Sequence, residues 1–143
     1  MSSVARAMEI ARKVHQHQVD KGGAPYINHP IRVAHACASD EAKMVAMLHD
    51  VVEDGASQGW SFDRLRVEGF SEVVVMAVES VSKRDGEQYE AFVLRAAQNA
   101  LGREVKLADI ADNMDLSRIG TPSAKDLARL EKYRRAKELL SAV

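Results

Sequence analysis

Met44-Val45-Ala46-Met47-Leu48-His49-Asp50-Val51-Val52-Glu53-Asp54 is an apolar run that passes directly into a cluster of titratable groups. Ala42, Val45, Ala46 and Leu48 recur at the spacing of one helix face, with Ser39 and Asp40 as candidate caps and Gly55 near the expected end. On a single helix His49 and Glu53 stand one turn apart, as do Asp50 and Asp54, so all four occupy adjoining stripes of its C-terminal end. Carboxylates there oppose the macrodipole and repel one another, a conflict that a cation or exposure to water resolves. For a bare His-Asp pair the plainer of these is a solvated helix end.

Helical periodicity extends on both sides. Upstream, Val4, Met8, Ala11 and Val14 share a face that continues to His15, and Gly22 and Gly23 are expected to stop that helix. Pro25-Tyr26-Ile27-Asn28-His29-Pro30 then leads into a second helix expected over residues 31–38, with Pro30 in its first turn. Downstream, a short helix is expected over Phe62 to Val67, ended by Gly69. The β-branched run Val73 to Val78 would suit a strand, yet Val74, Val78 and Val81 keep helical spacing, which predicts a helix.

Tyr89, Phe92, Val93, Ala96, Ala97, Ala100 and Leu101 form a regular stripe, predicting one amphipathic helix through Leu101 and another from about Glu104 to Met114. After a turn at Gly120 and Pro122, Ser123 and Asp126 form a capping box for a last helix with a seam of Leu127, Leu130, Tyr133 and Leu140. The expected fold is therefore all-α: one compact helical bundle over residues 1–143, with about seven or eight helices.

Composition narrows the function. The formal charge of −1 argues against a broad basic surface for DNA or RNA. Cys37 is the only cysteine and cannot form an internal disulfide, which fits a reducing compartment. Arg6, Glu9, Arg12 and Lys13 interrupt the opening segment, which lacks the apolar core of a signal peptide, and no stretch reaches the roughly 20 apolar residues of a membrane span. A cytoplasmic protein, monomer or homodimer, is expected.

Two further segments carry candidate ligands. In Lys106-Leu107-Ala108-Asp109-Ile110-Ala111-Asp112-Asn113, Asp109 sits between apolar neighbours and should face inward or into a cleft, as a ligand or as the partner of Lys106 or an arginine. His29 precedes Pro30 at a helix entrance, where a cap or a core role competes with metal ligation. His15, His17 and His35 have no patterned carboxylate neighbours and are assigned structural roles. Together His29, His49, Asp50 and Asp109 offer two imidazoles and two carboxylates, a set suited to a divalent first-row metal with positions left for water or a phosphate oxygen. The lack of a thiolate pair argues against a closed structural zinc site. Glu53 and Asp54 are placed to orient or deprotonate a water beside that ion.

These stretches, with His15 to Gln18 and Lys21 to Ala34, resemble HD-domain phosphohydrolases, specifically the small alarmone hydrolases and the hydrolase domain of Rel/SpoT-type (p)ppGpp enzymes. The order and spacing of the motifs agree over most of residues 11–115. The resemblance implies a helical fold and one divalent ion, commonly manganese, held by His29, His49, Asp50 and Asp109. It assigns catalysis to Glu53 and Asp54 and places Lys21, Tyr26 and Asn113 near the nucleotide. It also implies the reaction, release of pyrophosphate from the 3′ position of guanosine 3′,5′-bis(diphosphate), ppGpp, to give GDP. Lys83, Arg84 and Lys106 are further candidates to meet its phosphates, with solvated surface charge as the alternative.

One departure bears on the substrate. Where the family carries an arginine just before the lysine, Val19 and Asp20 precede Lys21, and an acidic side chain cannot stack on a base as a guanidinium does. The chain from Asp112-Asn113-Met114-Asp115 onward also differs from the usual alarmone-enzyme continuation, and no synthetase domain is expected within it. Another nucleotide or phosphorylated metabolite, or a non-catalytic metal and nucleotide sensor, are the competing expectations.

Overall fold

The computed structural model describes residues 3–142; Met1, Ser2 and Val143, at the ends of the expected single domain, lie outside the described residues. Nine α-helical segments occur among the described residues: α1 Val4–Val14, α2 Asn28–His35, α3 Asp40–Leu48, α4 Val51–Asp54, α5 Phe62–Val67, α6 Glu72–Ser80, α7 Tyr89–Ala97, α8 Ala100–Asn113 and α9 Ala124–Ser141. The described residues contain no strand, only an isolated antiparallel bridge between Val19 and Pro25. The fold is all-α, as expected. Among the described residues no helix is long and apolar enough to cross a membrane.

Local chemistry sets most boundaries. Ser3, Ser39, Ser61, Ser71 and Ser123 cap α1, α3, α5, α6 and α9, each accepting a backbone N–H of the first turn. The capping box of Ser123 and Asp126 is present. The valine-rich segment is indeed the helix α6, with Val74, Val75, Ala77 and Val78 buried.

α3 is the hub. It packs against α1, α2, α6 and α8, and Ala42 with every residue from Met44 to Leu48 is buried. Because α2 also packs on α8, the three helices meet in a triangle. The main core joins side chains from α1, α2, α3, α5, α6 and α8. A smaller cluster of Val93, Ala97, Ile110, Ala136 and Leu140 fastens α9 to α7 and α8.

Four expected boundaries are corrected. α1 ends at Val14, before the two glycines, because the chain turns back to form the Val19–Pro25 bridge, with Gly23 at φ 87°. α2 begins at Asn28, earlier than expected, so His29 is part of the helix. The stripe from Tyr89 to Leu101 belongs to two helices, since Asn99 leaves helical geometry and its side chain accepts the N–H of Gly102 at 2.9 Å as the cap of α8. Leu127, expected in the seam of α9, is 55% exposed; Tyr133, Ala136 and Leu140 make that contact instead.

The fourth of these boundaries shapes the site. The helix expected to run unbroken toward Gly55 stops at Leu48 and restarts as α4, with His49 and Asp50 in the joint. Asp50, at φ −109° and ψ 0°, stands at the N-cap of α4 but makes no side-chain capping bond. The chain passes tightly through Gly55, where a Cβ would meet the Val51 carbonyl oxygen at 2.6 Å and Trp60 at 3.0 Å.

Candidate metal centre

The triangle of α2, α3 and α8 delivers one imidazole, a second imidazole with its neighbouring carboxylate, and an opposing carboxylate. His29 lies in the first turn of α2, His49 caps α3, and Asp109 projects from α8; all three are buried. His29 Nε2 is 2.8 Å from Asp109 Oδ1. His49 Nε2 is 3.2 Å from Asp50 Oδ2 and 3.5 Å from Asp109 Oδ1. One donor atom from each of His29, His49 and Asp50 can be chosen so that all lie within 4.8 Å of one another. Donors around a single ion at about 2.0–2.3 Å stand at most about 4.5 Å apart, so this cluster is close to one coordination sphere.

Both rings are oriented from behind. His29 Nδ1 lies 2.6 Å from Asp112 Oδ2, and Arg32 grips the same carboxylate from Nε at 2.7 Å and Nη2 at 3.1 Å. His49 Nδ1 meets the Ala46 carbonyl oxygen. A carbonyl oxygen or an ionised carboxylate only accepts, so each Nδ1 carries the hydrogen and each Nε2 is turned toward Asp109. This is the backing that metal-ligating histidines use. Asp112 and Arg32 were absent from the sequence-based site, although each follows a candidate ligand by three residues on the same helix, a spacing that could have identified them.

Asp109 is heavily supported. Asn113 Nδ2 donates to its Oδ1 at 3.2 Å and Lys106 Nζ to its Oδ2 at 3.1 Å. Burial pushes its carboxyl up, but Lys106, His29 and His49 outweigh that and hold it well below the ordinary range. Burial also disfavours charge on His29 and His49; their carboxylate neighbours prevail and raise both imidazoles above 6.5. Asp50, opposed by burial but facing His49 and receiving the Tyr26 hydroxyl, is pulled down to about 2.

His49 Nε2 is buried and has no aligned hydrogen-bond partner, even with two carboxylates beside it. A cation among these oxygens would satisfy that nitrogen and draw the carboxylates together. His29, His49 and Asp50 therefore fit a divalent metal, while Asp109, which approaches both imidazoles, falls outside that close group of three.

The remaining predicted residues fall into three places. Lys21, Tyr26 and Asn113 line a cleft of about 290 Å³ that reaches His29 and is closed on the far side by Arg129 and Tyr133 of α9. Lys21 sits at its rim, 3.6 Å from Asp126. Lys106 does not line that cleft; it is buried, with its ammonium on Asp109 and 4.4 Å from the centre of the Phe92 ring.

Glu53 and Asp54 point to different neighbours. The Glu53 carboxylate accepts the backbone N–H of Lys83 and lines a second depression with Lys83 and Arg84, apart from the cleft. Burial, Asp50 and Asp54 lift its carboxyl above the usual value despite that bond. Asp54 Oδ2 accepts from Gln18 Nε2 at 3.0 Å. Asp20, in place of the expected arginine, uses Oδ1 to accept the N–H groups of Gly22 and Ala24, each at 2.9 Å, and so shapes the loop at the cleft's edge.

A family model for the HD domain matches residues 7–111. The chain belongs to the HD-domain family. The HD match spans all four candidate ligands and both acidic residues of α4, whereas α9 lies beyond it. HD domains bind divalent metal, consistent with the cluster of His29, His49 and Asp50. Among curated relatives, a probable GTP pyrophosphokinase of Mycobacterium leprae is 33% identical, covering 100% of this chain and 18% of its own length. The bifunctional (p)ppGpp synthase/hydrolase SpoT of Escherichia coli is 32% identical over 76% of this chain and 17% of its own. A guanosine-3′,5′-bis(diphosphate) 3′-pyrophosphohydrolase of Aquifex aeolicus is 32% identical, covering 78% and 17% respectively. This HD-domain chain thus spans less than a fifth of the length of these relatives.

Proposed function

We propose that the protein is a metal-dependent phosphohydrolase that cleaves a pyrophosphate or phosphate ester of a nucleotide, with conversion of ppGpp to GDP and pyrophosphate as the leading reaction. One observation carries it: two imidazoles, each fixed through Nδ1, turn Nε2 onto one buried carboxylate, and one of the two, His29, lines a cleft. His29, His49, Asp50 and Asp109 would hold one divalent ion, manganese foremost. When bound, such an ion acidifies a water and neutralises charge on a phosphoryl oxygen.

The chain's own groups do the rest. Tyr26 and Asn113 fix Asp50 and Asp109, while Lys21 at the rim meets the nucleotide. Lys106 acts through Asp109, and Lys83 meets phosphate from the side of Glu53. Glu53, whose raised pKa suits a proton acceptor, and Asp54 orient the attacking water and take its proton. Water adds to phosphorus, the bond from phosphorus to the 3′ oxygen breaks, and that oxygen leaves with a proton while pyrophosphate is released. We place the activity in the cytoplasm, in a monomer or homodimer that takes a soluble nucleotide rather than DNA or RNA.

A second substrate is favoured by one feature, the Asp20 carboxylate engaged in its own loop where the family carries a base-stacking arginine. A panel of nucleotides assayed with manganese decides between them. Pyrophosphate release from ppGpp is the expected result; turnover of another nucleotide with none of ppGpp would transfer the activity to that substrate. Glu53→Gln should lower kcat by about 10²–10⁴-fold, and unchanged turnover would remove Glu53 from the chemistry.

A further inference from the structure

Next to the candidate centre lies a hydrogen-bonded chain that none of the ligand assignments uses. His15, the C-cap of α1, is buried to 1% exposure, and its Nδ1 lies 2.7 Å from Gln18 Oε1. Gln18 Nε2 is 3.0 Å from Asp54 Oδ2, and His15 Nδ1 itself is 3.8 Å from that oxygen. The His15 ring packs 4.9 Å from Tyr26, whose hydroxyl donates to Asp50. The other ring nitrogen of His15 is buried and has no partner.

The direction of the chain follows from donor and acceptor capacity. The Asp54 carboxylate can only accept, so Gln18 must present its NH₂ group to it. That orientation leaves the Gln18 amide oxygen facing His15, and an oxygen there requires the hydrogen on Nδ1. His15 then donates from Nδ1 to Gln18, while its Nε2 sits buried in the core with no hydrogen-bond partner. One buried ring thus fixes the carboxamide, and the carboxamide fixes the carboxylate.

We propose that His15 and Gln18 are positioning residues that hold the Asp54 carboxylate in its productive orientation. This rests on the hydrolase function and on the catalytic role of Asp54. It replaces the structural role that His15 takes from sequence alone. A group that must meet a reacting water within a few tenths of an ångström loses rate when its rotamer is set free, with little effect on substrate affinity.

The test compares Gln18→Ala, His15→Leu and His15→Asn with wild type, measuring kcat and KM on the substrate found active, metal content and thermal stability. Gln18 is only half buried, so Gln18→Ala keeps the question open to experiment should His15→Leu fail to fold. The expected result is a fall in kcat of about 10-fold or more for Gln18→Ala and His15→Leu, with KM and metal content near wild type. Most of the rate should return in His15→Asn, whose amide can donate from the place of Nδ1. Loss of stability with unchanged kcat, or equal loss in His15→Asn and His15→Leu, would overturn the proposal. Nitrogen NMR of wild type gives an activity-independent readout: the relay requires His15 protonated at Nδ1, and the opposite tautomer refutes it. Wild-type protein inactive on every nucleotide would sink the hydrolase function, while the tautomer would still decide whether the relay exists.

Discussion

At the scale of single residues, the pattern of support around each imidazole is more informative than the imidazoles themselves. Asp112 fixes His29 and is in turn held by Arg32, so Asp112→Asn should weaken metal affinity by about 10–100-fold while leaving the fold intact. Titration calorimetry measures this, and equal affinities would mean that Asp112 only ties α8 to α2. Proton release gives a second check. Without metal, His29 and His49 titrate above 6.5, and each must lose its Nε2 proton to bind a cation. Metal uptake near pH 7 should therefore release protons; apparent affinity should rise with pH through that interval and level off once both rings are neutral. Calorimetry in buffers of different ionisation enthalpy reads the proton count, and a pH-independent affinity would contradict the ligand set.

The residue types of the centre could be read from the linear chain because each falls in a distinctive local pattern. Their partners could not. Whether Lys106 meets a phosphate or Asp109 depends on how deeply α8 is packed, and burial places its ammonium on Asp109. Asp20 could be recognised as a departure from the family, but its bonds to Gly22 and Ala24 depend on a loop path that spacing alone does not supply.

At the scale of elements, periodicity located the helices and missed two interruptions that matter. The joint between α3 and α4 preserves the apolar pattern while turning Asp50 away from capping and toward His49. The stripe keeps its spacing in sequence through Asn99 but not its burial: Phe92, Val93, Ala96 and Ala97 of α7 are buried, whereas Ala100 at the start of α8 is exposed and Leu101 is half-buried against the main core. A side-chain cap competes with the helix backbone there. Close packing just after that cap is testable. A Cβ on Gly102 would meet Ser80 Oγ at 2.1 Å and the Ala96 carbonyl oxygen at 3.3 Å. Gly102→Ala should destabilise the protein by roughly 1–3 kcal/mol through overpacking, read from denaturant unfolding. Unchanged stability would show that Ser80 yields without cost.

For the whole molecule, the central fact is convergence. Residues far apart in the chain meet because α2 and α8 both pack on α3, and α9, fastened by Ala136 and Leu140, closes the cleft with Arg129 and Tyr133. The HD-domain match ends before α9, the helix that supplies that wall. Sequence patterns foresaw the all-α bundle; the shape of the cleft depends on a helix whose seam only the packed structure located. The most direct measurement is anomalous diffraction at the manganese edge from crystals grown with that ion. The expected result is one peak within bonding distance of His29 Nε2, His49 Nε2 and the carboxylates of Asp50 and Asp109. A peak that lacks either imidazole, or no peak at this position at saturating manganese, would contradict the account.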